Sequence, residues 1–395
     1  MSKACNAKSV MLPHSKAKVE FYQRYLELYL IILSAAEFTT EINIYDLFCG
    51  RGEYDDGGLG SAIRAYETIM KVRREHPTEK PKPIVLHLND KNKAFVNNVQ
   101  QYISSHYGSE PAPCRMDFSH RDAFELLNDI NENKLKKQRG TGIVNFFFID
   151  PYGYKKVSRD TLFDIMKSGN SVILLFLPVS FMHRFTQNSF SKKPNRGSLP
   201  LRRMIESLFP EEHPIRSEKP MDIDTYIDCL TTAFHKQCEC FTTSYSIERG
   251  KGNKFALFFF SRNAKGFEVM LSVKWKLVDS YGFGYHLAEH EIDIFHDQFC
   301  EWKKEELIGK FRIAFIRWLS LGPHTNSQIY IATISSGYLP KHANAVLKEL
   351  QQNGQLRVTE YWTNVEKKEK NVFRVNYHER KSPSLLIQAL CVPQK

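Results

Sequence analysis

The sequence has no apolar run long enough to cross a membrane. The longest, SVILLFLPVSF at 171–181, is about half as long as the roughly 20 residues that a transmembrane helix needs. The basic N-terminal stretch MSKACNAKSVMLPHSKAK also lacks the apolar core of a signal peptide. We therefore expect a cytoplasmic protein without a membrane partner.

The sequence also has no pair of cysteines at the usual zinc-binding spacing. Its eight cysteines include no Cys-x-x-Cys pair, and Cys238 and Cys240 are too close together for such a site. Scattered cysteines in a cytoplasmic protein are typically reduced and buried. We expect free thiols and no metal site.

The sequence has fewer acidic than basic residues, 44 against 55. The 395 residues carry a net charge of +11, with 42% hydrophobic and 25% charged residues, as in an ordinary globular protein. This length favours two domains. The basic balance permits a polyanionic partner without proving one.

Strand-like and helix-like segments alternate over the first part of the chain. Residues 16–36 have helical spacing and predict a leading helix. Strands are predicted at 42–49, 83–90, 112–118, 142–150 and 171–178, with helices at 60–76, 91–107, 121–136 and 159–169. This order predicts an α/β fold, Rossmann-like, with a mostly parallel sheet and helices on both faces.

Two features interrupt this pattern before the C-terminal part. A basic insertion spans about 182–250, and its segment 188–203 is expected to be an exposed loop. The stretches 254–262 and 267–277, joined by Asn-Ala-Lys-Gly, predict a hairpin at an antiparallel edge of the sheet.

The pattern of predicted helices and strands changes near residue 305, so we place the domains at 1–304 and 305–395. Helices are expected at 306–322, 325–337 and 339–354, with Thr325 or Asn326 capping the second. A hairpin with a charged tip is expected at 355–377. Three helices followed by a hairpin predict a winged helix-turn-helix domain.

A short glycine turn follows the first predicted strand. The stretch IYDLFCGRGEY at 44–54 places Asp46 late in the strand and Gly50 and Gly52 in the turn beyond it. Glycines there allow close approach of a ligand to the backbone, although a tight turn alone would also need them. Ligands of open α/β sheets bind outside the carboxyl ends of the strands. The segment DLFCGRG, with Phe48 in its middle, is similar to the D-L-F-x-G-x-G motif of S-adenosylmethionine-dependent DNA methyltransferases.

Acidic residues also follow the second and third strands. Asp90 stands where a Rossmann-type site binds ribose hydroxyls, and helix N-capping is its alternative role. Asp117 and Asp122 stand where such enzymes contact adenine, but capping or solvation is favoured for both. The candidate cofactor-binding residues are Asp46, Phe48, Gly50, Gly52, Asp90 and Asp122.

The fourth strand ends in Asp150-Pro151-Tyr152-Gly153. Amino-methyltransferases have a D/N/S-P-P-Y/F motif here, in which the acid and the proline carbonyl accept hydrogen bonds from an exocyclic amine and the ring stacks on a flipped base. Tyr152 replaces the second proline, so the match is partial. A strand-ending turn at Pro151 and Gly153 is an equal alternative. On the first interpretation Asp150, Pro151 and Tyr152 are catalytic.

These segments together resemble the three-Cys-motif partner family, TcmP. The resemblance covers most of the chain and includes HSKAKVEFYQRYLELYLIIL, DLFCGRGEYDDGGLGSA, FIDPYGY, VKWKLVDSYGFG and the C-terminal part. The family's first motif is nearer D-L-F-A-G-P-G followed by G-S-P, and Cys49, Arg51 and Ala62 differ from it. The resemblance implies a partner with a radical-SAM-like three-cysteine motif and a bacterial, mobile-element or phage-defence setting.

Two hypotheses follow. The first is an S-adenosylmethionine-dependent nucleic-acid methyltransferase to which the winged helix delivers double-stranded DNA. The second is a non-catalytic DNA- or protein-binding module on a degenerate Rossmann scaffold, which Arg51 in the turn favours. A nuclease based on Glu53, Asp55 and Asp56 is the weakest alternative, because these acids are expected to be solvated.

Overall fold

Most of the chain is described by the computed structural model. The described residues are 10–138, 140–151, 153, 157–168, 170–191, 196–217, 221–248, 254–281, 285–286, 296–361, 370–378 and 383–390. The chain divides into one unit of Met1–Asn263 with Gly284–Glu291 and a second of Ala264–Phe283 with Ile292–Lys395. The second unit therefore starts before residue 305, where the sequence placed the boundary.

Alternating strands and helices build the first unit. Its helices are α1 (Pro13–Ala35), α2 (Ser61–Glu75), α3 (Lys93–Tyr107), α4 (Ala123–Asn133), α5 (Arg159–Ser168), α6 (Val179–Ser189), α7 (Leu199–Leu208) and α8 (Ile223–Gln237). Its strands are β1 (Glu41–Asp46), β2 (Ile84–Asn89), β3 (Arg115–Ser119), β4 (Ile143–Ile149), β5 (Asn170–Leu177), β6 (Phe241–Glu248), β7 (Lys254–Ser261) and β8 (Tyr285–His286). The leading helix, the first five strands and the helices between them are confirmed, with ends shifted by a few residues.

The strands form one sheet in the order β3-β2-β1-β4-β5-β7-β6-β8. Strands β1 to β5 run parallel, whereas β7 is antiparallel to both β5 and β6. The order reverses between β1 and β4, where Asp46 pairs in register with Phe148. The predicted α/β class with a mostly parallel, Rossmann-like sheet is confirmed.

Aromatic side chains pack both faces of this sheet. On one face Tyr22 of α1 stacks on Phe148 with ring centroids 4.4 Å apart, and Tyr25 meets Phe259 of β7 edge-on at 4.9 Å. On the other face, Phe147 belongs to a buried cluster with apolar residues of α4 to α8. Strands buried on both faces have continuous apolar sequences, which explains the run FFFI in β4. These contacts fix α1 across β4 and β7.

Residues 267–277 are helical, so the strand and the Asn-Ala-Lys-Gly hairpin predicted there are wrong. They belong to α9 (Ala264–Tyr281), and the hairpin partner of β7 is β6. The alternation from Phe267 to Leu271 suggested a strand, but Met270 between them is also buried. Because β5 and β6 occupy the two edges of β7, no edge remains for another strand.

The segment 188–203, expected as an exposed loop, is partly helical. Helix α6 extends to Ser189, and α7 begins at Leu199 with Pro200 in its first turn, where proline is favoured. Helix α7 buries residues at helical spacing, namely Leu201, Met204, Ile205 and Leu208. Within the expected insertion at about 182–250, α7 and α8 pack on the core and β6 joins the sheet.

The second unit combines helices with a small antiparallel sheet. It contains α9, α10 (His296–Leu319), β9 (His324–Thr325), α11 (Asn326–Ser335), α12 (Pro340–Gln352), β10 (Leu356–Glu360) and β11 (Leu385–Ala389). The strand order is β10-β11-β9. The three expected helices are confirmed. Thr325 caps α11, because its Oγ1 accepts the Gln328 N–H at 3.1 Å while Gln328 Oε1 accepts the Thr325 N–H at 2.8 Å.

The second strand of the expected C-terminal hairpin lies elsewhere. Within the described segment 370–378 there is no strand, and β10 pairs with β11 instead. Asn344 and Gln351 of α12 donate to the carbonyls of Val375 at 3.1 Å and Asn371 at 2.9 Å. These bonds hold the segment along α12. Most of the charged tip, 365–369, lies outside the described residues.

The two longest described helices do not have the composition of a bilayer span. Helices α1 and α10 have 23 and 24 residues, but both carry charged side chains along their length. Among the residues that the structure describes, no helix is both long and apolar enough to cross a membrane.

Candidate functional site

A cavity opens at the carboxyl ends of β1, β4 and β5, where the strand order reverses. Its volume is about 270 Å³. Open α/β sheets bind ligands at this position. The predicted site residues that line it are Phe48, Gly50, Gly52, Asp150 and Pro151. The structure therefore places the glycine turn after β1 and the Asp-Pro turn after β4 around one space.

The two glycines of the turn meet different demands. Gly50 has φ +63° and Gly52 has φ +84°, values that favour glycine. A Cβ on Gly52 would lie 2.9 Å from Val99 Cγ2, whereas one on Gly50 would have no atom within 4 Å. Packing and backbone geometry therefore explain Gly52. At Gly50 the backbone borders open space, so a ligand can approach it closely.

Asp46 lies behind the turn and has no exposed surface. Its Oδ2 accepts the Ser61 hydroxyl at 2.5 Å and its Oδ1 accepts the Phe48 N–H at 3.3 Å. Burial raises the pKa of Asp46 to about 7, although both hydrogen bonds and the nearby Lys18 oppose this shift. This carboxyl group joins the start of α2 to the turn.

Asp90 holds the same turn from the side of β2. Its Oδ2 accepts the Gly50 N–H at 3.1 Å and its Oδ1 accepts the Asn92 N–H at 2.8 Å. The N-capping role considered for Asp90 is wrong, since Asn92 caps α3 by accepting the Ala94 N–H at 3.0 Å. The side chain of Asp90 is buried and fixes the backbone of Gly50.

Asp117, which lies within β3, and Asp122, which follows it, lie away from this cavity. Asp122 caps α4, accepting the N–H groups of Phe124 at 3.1 Å and Glu125 at 3.4 Å, so its favoured capping role is confirmed. Asp117 lines a second cavity of about 220 Å³ on the α4 side of the sheet. There its Oδ2 lies 3.1 Å from His87 Nδ1. Burial lowers the pKa of His87, and its Nε2 lies 3.0 Å from Asn43 Oδ1, so both ring nitrogens face an oxygen atom.

Lys18 of α1 enters the main cavity and forms an ion pair with Asp150. Both side chains are mostly buried, with exposed fractions of 12% for Lys18 and 21% for Asp150. The Lys18 ammonium also lies 4.9 Å from the ring centroid of Phe176, a cation–π contact. Sequence reasoning missed this residue, because nothing local to 16–36 distinguishes one lysine of a leading helix from another. Pro151, next to Asp150, is buried in the wall, and Tyr152 lies outside the described residues.

Aromatic rings form much of the remaining wall. Phe176 and Phe255 stack with centroids 5.1 Å apart, and the half-buried Phe48 meets Phe124 edge-on at 5.9 Å. Such surfaces suit the faces of a planar ring. With the charged groups at the rim, the cavity can hold a ligand that has both an aromatic and a charged part.

Arg51 adds positive charge at the glycine turn. Its guanidinium lies 3.7 Å from Asp55 and 5.9 Å from the ring centroids of both Tyr54 and Phe95. The residue lines the cavity beside Gly50. The Arg51 guanidinium is therefore partly engaged by Asp55 in the loop that follows, as well as facing the cavity.

The neighbouring thiol and acids have structural roles. Cys49 is buried, which raises the pKa of its thiol and leaves it unreactive. Asp56 accepts the N–H groups of Met11 at 3.3 Å and Gly58 at 3.2 Å. Across the described parts of the chain, no group of three His, Cys, Asp or Glu side chains is arranged to hold a metal ion.

Comparisons with known proteins give only distant similarities. No protein-family model matches the chain, and no curated protein matches it significantly. Among solved structures, it is similar to "Putative methyltransferase yhhF from Escherichia coli", with 8% identity, a TM-score of 0.25, and coverage of 60% of this chain and 86% of that one. It is also similar to EvdMO1, with 10% identity, a TM-score of 0.29, and coverage of 68% of this chain and 52% of the other. Similarities at such scores support no inference about function, and the fold assignment depends on the strand order.

Proposed function

We propose that the chain is a methyltransferase that uses S-adenosylmethionine and methylates an amine of nucleic acid. The observation that supports this proposal is the single cavity shared by the glycine turn of β1 and the Asp150-Pro151 turn of β4. A methyl donor and an acceptor amine must meet in one place, and positioning is the main demand that methyl transfer makes on a protein.

The residues around the cavity fit this cofactor. The open backbone at Gly50 and the ring of Phe48 would hold it, and the buried Asp90 would act indirectly by accepting the Gly50 N–H. Asp46 would act indirectly by fixing the turn, and Asp122 by capping α4. When bound, the cofactor supplies an electrophilic methyl group. Asp150 and the Pro151 carbonyl would orient the acceptor amine as hydrogen-bond acceptors, with Tyr152 stacking on its base.

Calorimetric titration with S-adenosylmethionine tests the proposal. We expect a saturable isotherm for the unchanged protein and none for Gly50→Ala, because the added methyl group would occupy the open space beside the backbone. Gly57→Ala is the matched control. Gly57 also has a positive φ, +75°, with no atom within 4 Å of a Cβ, but it does not line the cavity. Heat equal to that of dilution for the unchanged protein would contradict the proposal.

The Lys18–Asp150 ion pair favours the alternative, a non-catalytic binding module. It occupies the carboxylate that should receive the acceptor amine. If this alternative holds, neither the unchanged protein nor the Lys18→Met variant binds S-adenosylmethionine. Saturable cofactor binding by either protein would exclude it.

We further propose that the second unit is a winged helix that contacts double-stranded DNA. Its order of helix, short strand, two helices and two strands supports this, and α12 exposes Lys341 and Lys348. Binding to a duplex should weaken steeply with salt, and Lys348→Ala should reduce the salt slope by about 1. Binding that is independent of salt would point to a protein partner instead.

The resemblance to the three-Cys-motif partner family leads us to propose one such protein as a binding partner. A purified protein with the radical-SAM-like three-cysteine motif should co-elute with this chain in size-exclusion chromatography. Separate elution at micromolar concentrations would contradict this pairing.

A further inference from the structure

The segment that follows the Asp150 turn is basic and free of acids. Residues 165–205 contain no Asp or Glu, although the whole chain has 44 acids in 395 residues. The same segment contains seven Lys and Arg residues, which are Lys167, Arg184, Lys192, Lys193, Arg196, Arg202 and Arg203. Glu206, just beyond the segment, pairs with Arg202 at 2.8 Å, and the excess of positive charge that remains is complementary to a polyanion.

Helix α6 carries part of this segment away from the cavity rim. Pro178, which lines the cavity, precedes the first residue of α6. The helix turns one face inward, burying Val179, Met182, Thr186 and Ser189. Its outward face starts at the rim and exposes Phe181 and Arg184, whereas Phe185 is half-buried and packs against the core cluster.

Aromatic and basic side chains alternate on that outward face. Phe181 is 44% exposed, and its ring centroid lies 4.4 Å from that of Phe185, which follows one turn later. Arg184 is exposed between them, with its Nε donating to the Ser180 carbonyl at 3.4 Å. Arg203 is exposed on α7, the next helix. We call Phe181, Arg184 and Phe185 the α6 platform.

From this geometry we infer that the α6 platform binds single-stranded nucleic acid and leads an unpaired nucleotide to the cavity. Exposed rings stack on free base faces, and arginines contact the phosphates between them. A duplex stacks its bases on each other and leaves no free faces for these rings. The inference rests on the proposed nucleic-acid acceptor and adds to it the strandedness of that acceptor.

Binding of a labelled oligothymidylate of about 12 nucleotides, measured by fluorescence anisotropy without cofactor, tests the inference. We expect Phe181→Ala to weaken binding at least about five-fold through lost stacking. Arg184→Ala should reduce the slope of log K against log salt by roughly 0.7, the value for one phosphate of a single strand. Phe38→Ala is the control, since Phe38 is 58% exposed near the opposite ends of the strands and should not contribute.

Two results with the oligothymidylate would overturn the inference. One is unchanged oligothymidylate affinity in Phe181→Ala, and the other is an equal loss in Phe38→Ala. A duplex that binds with the same dependence on Phe181 would also contradict it. The cofactor titration tests the proposed function separately. Oligonucleotide binding that depends on Phe181, without binding of S-adenosylmethionine, would refute the proposed methyltransferase activity but not the role of the α6 platform. Binding of S-adenosylmethionine without oligonucleotide binding that depends on Phe181 would refute only the role of the platform.

Discussion

Replacing Asp46 with Asn should change how the stability of the first unit depends on pH. The carboxyl group is fully buried, and its pKa is raised from 3.8 to about 7. A raised pKa means that the folded protein favours the protonated form. The group therefore costs no stability below pH 3.8, costs more as the pH rises, and reaches its full cost above about pH 7.

The size of the effect follows from the shift. At 1.36 kcal/mol per pH unit, the full cost is about 4 kcal/mol, of which about 3 kcal/mol develops between pH 5 and pH 8. Asparagine has no charge to bury and can keep hydrogen bonds to Ser61 and Phe48. The unfolding free energy of Asp46→Asn relative to the unchanged protein should therefore rise by about 3 kcal/mol between these pH values.

Urea unfolding at pH 5 and pH 8 provides the measurement. Far-ultraviolet circular dichroism follows the whole chain, and tryptophan fluorescence follows the second unit, because all four tryptophans lie in its residue range. Asp129→Asn is the control, since hydrogen bonds from Arg121 and Asn133 lower the pKa of Asp129, so that its contribution to stability should be the same at pH 5 and pH 8. A difference between Asp46→Asn and the unchanged protein that is the same at both pH values would refute the argument.

Three further experiments test contacts within each unit. Lys18→Met and Asp150→Asn should each destabilise the first unit. A double-mutant cycle should give a coupling energy of about 1–2 kcal/mol, between the values for exposed and buried pairs. Additive effects would show that the contact is not made in solution. Gly52→Ala should lower the unfolding free energy by about 2 kcal/mol or more in urea titrations, because its Cβ would lie 2.9 Å from a neighbouring side chain. Gly57→Ala should lower it by about 1 kcal/mol, from backbone strain alone. Equal losses in the two variants would contradict the crowding at Gly52. Thr325→Ala should destabilise the second unit by about 1 kcal/mol, followed by tryptophan fluorescence, through loss of its helix cap, and an unchanged transition would argue against that cap.

The parallel part of the sheet could be predicted because its signals are local. Four of the first five strands are short apolar runs, β3 being the polar exception, and the helices that follow them have apolar residues at helical spacing. Residues 267–277 could not be assigned in this way, since the same residues satisfy both periods. The occupied edges of β7 exclude the strand, and that information is not local to the segment.

The candidate site could likewise be predicted only where its signals are local. The positions of Gly50, Gly52 and Asp150 follow from the ends of predicted parallel strands, which meet at one edge of a sheet. The partners of the charged groups do not follow from them. Asp90 binds the N–H of Gly50, 40 residues earlier, and Asp150 pairs with Lys18, 132 residues earlier. Such pairings depend on how α1 and the strands are brought together.

The position of α1 has a consequence for biosynthesis. This helix precedes the whole sheet, yet Tyr25 finishes its packing only against Phe259 of β7, and Lys18 meets Asp150 only after β4 has formed. During translation the part of α1 around Tyr25 must therefore stay incompletely covered until nearly all of the first unit has left the ribosome. Contacts between distant segments form slowly and expose such surfaces to misassembly. A nascent chain halted before β7 should accordingly hold α1 loosely and recruit chaperones, whereas one halted after β7 should resist proteolysis there.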